Sequence, residues 1–234
     1  MESQNLWQEY IGAVATQLVG REQEVNQIHQ TIKADRSKVV FILGEGGIGK
    51  TFLIRRILTY CSPDGQWYQD DMLSASDVVD FYNTPTHALE GLTSAIRDSL
   101  GGVGFEGFNQ RLREFVQRKY DLRGQGQAIE QSRGILLEQF LKDFRCLADQ
   151  KSNIIIAFDT AECLFATSSM FEGQLYEIEA RKWLRETFLP EVMTMDNVTV
   201  LIAGRPDAEA FLDDIRKKLG EEAIDVIRLG PMRI

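Results

Sequence analysis

Cysteine and histidine are scarce in this chain, with three of the first and two of the second among 234 residues. Cys61, Cys146 and Cys163 are odd in number and lack CxxC spacing, so neither a disulfide framework nor a zinc site is suggested. His29 and His87 show no metal spacing either. No apolar stretch approaches the ~20 residues that a membrane span requires. The opening residues, Met1-Glu2-Ser3-Gln4-Asn5, have neither the basic start nor the apolar core of a secretory signal. Cytoplasmic residence, with no membrane partner, is the expectation. Positive charge is also short: 26 Lys and Arg stand against 35 Asp and Glu, for a net charge of −9. Phosphate contacts need local positive charge, so nucleic acid is a poor candidate partner. The one basic segment, from Arg111 through Arg118 and Lys119 to Arg123, reads as a solvated helix.

What the chain does have is one glycine-rich run in a specific setting. Hydrophobic residues make up 44% and charged residues 26%, which suits one large α/β domain. Gly44-Glu45-Gly46-Gly47-Ile48-Gly49-Lys50-Thr51 fits the pattern GxxxxGK[ST] at every fixed position. A short apolar strand, 38–43, precedes it, and a helix opening at Phe52 follows. Glycines let the backbone curl so that successive N–H groups point at phosphate oxygens, and the helix N-terminus adds partial positive charge. Lys50 is then placed to reach the β- and γ-phosphates and the Thr51 hydroxyl to ligate Mg²⁺. A nucleoside triphosphate is the expected ligand.

The rest of the chain alternates strands and helices. A helix from Leu6 to about Thr16 leads into Leu18-Val19-Gly20-Arg21-Glu22, and a second helix carries Val25, Ile28 and Ile32 on one face. Residues 77–82 make the best second strand, with Gln66-Trp67-Tyr68 competing. A helix then carries Leu89, Leu92, Ile96 and Leu100. The stretches 101–108 and 124–126 look most flexible and frame the basic helix, so 101–130 is expected to be an insertion. A long helix from Gly134 to Lys151 precedes the strand 154–158. After a polar loop at 166–174 come a helix through Trp183 and Phe188, the strand 198–203, a helix through Phe211 and Ile215, and a last strand at 223–229. Uninterrupted apolar strands alternating with amphipathic helices mean a parallel sheet covered on both faces.

Three further residues are candidates for chemistry. Asp159 follows an apolar strand, where a carboxylate can hold Mg²⁺ opposite Thr51. Glu162 lies three residues on and could polarise the attacking water or, more plainly, cap a helix. Arg205 stands at the end of the next apolar strand, where a guanidinium can sense the γ-phosphate or simply face solvent before Pro206.

These pieces resemble a known family. Leu18-Val19-Gly20-Arg21-Glu22-Gln23-Glu24-Val25 is similar to the VGRE box that precedes the nucleotide domain in STAND ATPases and in origin-recognition AAA+ ATPases. The loop has the GxGGxGKT form of STAND proteins, which include the NB-ARC and NACHT groups. Phe158-Asp159-Thr160-Ala161-Glu162 looks like their Walker B strand, and Ala203-Gly204-Arg205-Pro206 like their sensor-1 strand. Leu229-Gly230-Pro231-Met232 resembles the start of their GxP segment, whose proline packs on adenine. The resemblance implies a three-layer P-loop NTPase fold of the ASCE type, with a parallel five-stranded sheet in the order 5-1-4-3-2 and helices on both faces. It implies ATP or ADP with Mg²⁺, with base contacts near Val19 and Gly20, Arg21 close by, and Pro231 on the adenine. Residues 1–17 would be a helical lead-in to a nucleotide-binding domain of 18–234. The family's lid and winged helix should follow the GxP segment, yet the chain ends at Ile234, so C-terminal modules of a longer protein and a nucleotide-dependent homo-oligomer are the expected partners. Walker B lacks the paired acidic residues of many relatives.

The activity implied is slow ATP hydrolysis by a regulatory signalling switch. An AAA+ ATPase of the origin-recognition or transposition-helper type, acting on DNA, is the alternative; it needs a basic DNA-contacting face and an arginine finger across subunits. A small-molecule kinase would need a second substrate pocket. A GTPase is disfavoured because no Asn-Lys-x-Asp motif occurs.

Overall fold

The computed structural model describes residues 20–34, 36–121, 126–164, 170–171, 174–175 and 178–231. The expected helix at 6–16, the box residue Val19 and Arg123 lie outside them. Helix α1 (Glu22–Ile32) leads into β1 (Lys38–Leu43), and α2 (Lys50–Cys61) follows the glycine-rich loop. Two short strands, β2 (Leu73–Ser74) and β3 (Val79–Asp80), precede α3 (Leu89–Ser99), α4 (Glu106–Asp121) and α5 (Gly126–Ala148). Next come β4 (Ile154–Asp159) and a small antiparallel pair, β5 (Met170–Phe171) and β6 (Gln174–Leu175). Helix α6 (Glu179–Trp183), a π turn (Leu184–Phe188) and α7 (Leu189–Val192) run to β7 (Val198–Gly204). Helix α8 (Glu209–Leu219) and β8 (Ile224–Arg228) follow.

The sheet order is β2-β4-β7-β1-β8, with β3 also pairing β4, and every pairing is parallel. This is the expected arrangement with one difference. The second strand is not one segment at 77–82 but two short pieces along the same edge of β4, so the sheet has six strands rather than five. The break has a local cause: the Ser76 N–H turns away from β4 to donate to Ser99 O at 2.7 Å, and the Asp77 carboxylate takes the Val78 N–H at 2.7 Å. Gln66-Trp67-Tyr68 forms no strand. Trp67 instead stacks on His29, ring centroids 4.0 Å apart. Every residue of β1, β4 and β7 is buried, as helices on both faces require.

Within 101–130, the described residues 101–121 and 126–130 pack against the core. Gly101, Gly102 and Gly104 take positive φ and turn the chain sharply. Phe105 and Phe108 are then fully buried, in an aromatic cluster that runs through Phe140, Phe144 and Phe188 to Phe158 of β4. The Asp143 carboxylate of α5 accepts the Phe108 N–H at 2.7 Å, which satisfies a first-turn donor of α4. Two of the basic side chains of α4 pair with acids, Arg111 with Glu114 and Lys119 with Glu90, and Arg118 donates to Ser132 Oγ at 3.2 Å. Helix α5 starts at Gly126, eight residues before the Gly134 expected from the apolar pattern. The intervening Gln127, Ala128, Ile129 and Glu130 are compatible with helix, and a Cβ at Gly134 would meet nothing within 4 Å.

Candidate functional site

The site is built at the carboxyl edge of the parallel strands. Strand β1 ends at Leu43, and the loop that follows is pinned between its neighbours. The Gly44 N–H donates to Gly204 O at 3.2 Å, and the Leu229 N–H donates to Leu43 O at 2.8 Å. A Cβ on Gly44 would lie 3.0 Å from Ile48 Cγ2 and 3.1 Å from Leu229 O, so a side chain there would push its neighbours by a few tenths of an ångström. Gly47 and Gly49 have φ of +76° and +99°, the left-handed region that glycine enters freely. Helix α2 opens directly after Gly49 with no side-chain cap and no acidic residue in its first turn. Its free N–H groups and partial positive charge therefore make an anion site.

Lys50, 9% exposed, arches over this loop, its ammonium donating to Gly44 O at 2.6 Å and Glu45 O at 2.9 Å. Burial pushes its pKa below the usual lysine value, while Glu162 and Asp159 pull it back up. The next residue faces β4: Thr51 Oγ1 donates to Asp159 Oδ2 at 2.5 Å. Asp159 is 4% exposed, and its other oxygen takes the Thr160 N–H at 2.8 Å. A hydroxyl and a carboxylate oxygen side by side at the mouth of an anion cradle suit magnesium, a hard cation that takes few protein ligands beside phosphate oxygens. Phe52, in the first turn of α2, is 40% exposed.

Glu162 and Arg205, apart in sequence, are brought together. The Arg205 N–H donates to Glu162 Oε2 at 2.9 Å, and its Nε lies 3.2 Å from Oε1. The guanidinium reaches over the loop, where a Cβ on Gly46 would stand 3.4 Å from Arg205 Nη2. Glu162 therefore does not face solvent alone: it takes the backbone N–H of Arg205, the N-cap residue of the 3₁₀ turn Pro206–Ala208, and pairs with the Arg205 guanidinium. Arg21 is 3% exposed, with Nη1 on Glu24 at 3.0 Å and Nη2 donating to Ile48 O at 3.3 Å and Gly230 O at 2.6 Å. One guanidinium thus ties the upstream box, the phosphate loop and the GxP segment together. Beside it lies an open pocket of about 440 Å³ lined by residues 20–24, Gly230 and Pro231.

Two residues at this edge escape the motif reading. Asp80 pairs in register with Asp159 across β3 and β4, and Thr160 takes φ of +54° with its hydroxyl donating to Asp80 Oδ1. An Asp closing the apolar pair Val78-Val79 carries a faint signal for the first. Nothing in a threonine marks it for a left-handed turn. Among the described residues, no group of three or more His, Cys, Asp or Glu side chains could hold a metal by itself.

A doubly covered parallel sheet with this loop between β1 and α2 defines a P-loop NTPase. A model of the AAA ATPase domain family matches residues 17–189, and the chain belongs to that family. Nucleotide binding and hydrolysis are what membership implies. The match takes in the phosphate loop, Asp159 and Glu162, whereas β7, Arg205 and Pro231 lie beyond it. A comparison with curated proteins gives no match. Among the described residues, no helix is long and apolar enough to cross a membrane.

Proposed function

We propose that this chain binds ATP with Mg²⁺, hydrolyses it slowly, and serves as the nucleotide switch of a STAND-type regulatory protein. The observation that supports a switch is Arg21. Its buried guanidinium holds the carbonyls of Ile48 and Gly230 at once, so the nucleotide loop and the segment leading out of the domain share one support. A change at the loop then has a physical route to whatever follows Gly230.

In this reading the loop amides and Lys50 grip the β- and γ-phosphates, and Thr51 and Asp159 would hold the metal. A magnesium ion held there would supply positive charge against the phosphates. Glu162 polarises the attacking water, Arg205 reads the γ-phosphate, and Pro231 with the backbone at Val19 and Gly20 supports the adenine. Action on DNA is less favoured, since Arg111 and Lys119 of the basic helix are already paired with acids. Native mass spectrometry with and without ATP and Mg²⁺ tests the reading. Retained adenine nucleotide and a nucleotide-dependent change in subunit number are expected. No uptake at millimolar concentration by folded protein would remove it.

A further inference from the structure

Thr160 is the strained point of the site. It is β-branched, yet its φ is +54°, a region such residues rarely enter unless their surroundings impose it. The surroundings that impose it are on β3. The Thr160 hydroxyl donates to Asp80 Oδ1, and the Tyr82 N–H donates to both, at 2.9 Å to Asp80 Oδ1 and 3.1 Å to Thr160 Oγ1. Asp80 is itself fixed, because Val79 and Asp80 pair with Phe158 and Asp159 and the Phe81 N–H donates to Asp159 O at 3.1 Å.

The turn that Thr160 makes decides where the chain goes next. It redirects the backbone out of β4 into the 3₁₀ turn Ala161–Leu164, closed by the Cys163 N–H on Thr160 O at 2.8 Å. Glu162 leaves that turn pointed at the Arg205 backbone and guanidinium. An extended Thr160 would carry Glu162 elsewhere.

We propose that Asp80 is a positioning residue for hydrolysis: by clamping the Thr160 hydroxyl it holds the left-handed turn that delivers Glu162 to Arg205. Asp80 acts through Thr160. The proposal rests on the reading of Glu162 as the water-polarising group.

Three substitutions separate this role from a direct one. Asp80→Ala removes the clamp. Asp80→Asn keeps an amide oxygen that accepts the same two hydrogen bonds but cannot take a proton from water. Adding Thr160→Gly to Asp80→Ala removes the strain, because glycine enters the left-handed region without help. The purified chain is assayed with ATP and Mg²⁺ for kcat and KM, and with ADP by calorimetry. Asp80→Ala is expected to lower kcat by about 10–100-fold, the range for a group displaced by roughly an ångström. KM and the ADP dissociation constant should stay within about twofold of wild type, because the binding groups are untouched. Asp80→Asn should keep most of the turnover, and Thr160→Gly should restore most of what Asp80→Ala loses.

Asp80→Asn as damaging as Asp80→Ala would overturn the proposal, and so would a double variant no faster than Asp80→Ala. Should Asp80→Ala fail to fold, Asp80→Asn and the double variant still decide the matter. Glu162→Gln run beside them distinguishes the two layers. Impaired Glu162→Gln with unimpaired Asp80→Ala sinks the positioning role alone. Wild-type turnover in Glu162→Gln, or none in the wild type, removes the assignment of Glu162 and the positioning role with it.

Discussion

The two halves of the site are built by opposite means. Thr51 and Asp159 meet because α2 and β4 are packed elements, and Asp159 is 4% exposed. Glu162 and Arg205 meet on turns that follow β4 and β7, and the Arg205 side chain is 59% exposed. The first pair is preset by strand order and cannot shift without moving the sheet. The second is an ion pair open to water, where such pairs contribute little to stability and can exchange partners. On the proposed reading, a site arranged this way would hold a metal rigidly and leave Arg205 free to respond to a phosphate.

Breaking the shared cradle should have the largest effect. Lys50→Ala is expected to abolish ATP binding, and with it the rise in melting temperature, which is about 2.7 kcal/mol of stabilisation at a hundredfold excess over Kd. An undiminished rise would remove the loop assignment altogether. On the rigid side, Asp159→Asn should slow hydrolysis on the order of 100-fold, as loss of one preorganised electrostatic partner does. A magnesium titration of the variant should show a weaker requirement, and an identical curve would separate Asp159 from the metal.

Smaller effects are expected where the two halves join. A Cβ on Gly204 would stand 2.6 Å from Ala208 Cβ and 3.3 Å from Ala161 Cβ, between the turns that carry Arg205 and Glu162. Gly204→Ala should therefore cost about 1–3 kcal/mol in urea unfolding, with turnover falling as the turns are pushed apart. Unchanged stability would show that these turns yield easily. On the exposed side, Arg205→Ala should reduce the preference for ATP over ADP about tenfold, the scale of one charge-assisted contact. It should change stability by less than about 0.5 kcal/mol. A large loss of stability would make Arg205 a structural residue and erase the contrast.

Much of this was legible in the chain because it is local. The phosphate loop needs glycine at positive φ, a lysine and a hydroxyl at set spacing, and the structure puts Gly47, Gly49, Lys50 and Thr51 in that geometry. The buried strands announced themselves as apolar runs, and Val25, Ile28 and Ile32 fall on the buried face of α1 as their spacing predicts. The break in the second strand is not legible locally, because it depends on Ser99, a partner 23 residues away that takes the Ser76 N–H. The segment at 101–108 looked flexible from its glycines, yet its fate was decided by the aromatic rings of α5.

Periodicity and the loop motif were sufficient, with no fold in view, to specify a parallel α/β domain that grips a polyphosphate. Both follow from backbone conformations and side-chain spacings within a few residues. Only the tertiary structure could decide that Arg21 bridges Ile48 and Gly230, that Arg205 holds Glu162, and that Asp80 clamps Thr160. Those pairs span 27 to 209 residues, and their meeting is set by sheet order and register, which a short stretch of chain does not contain.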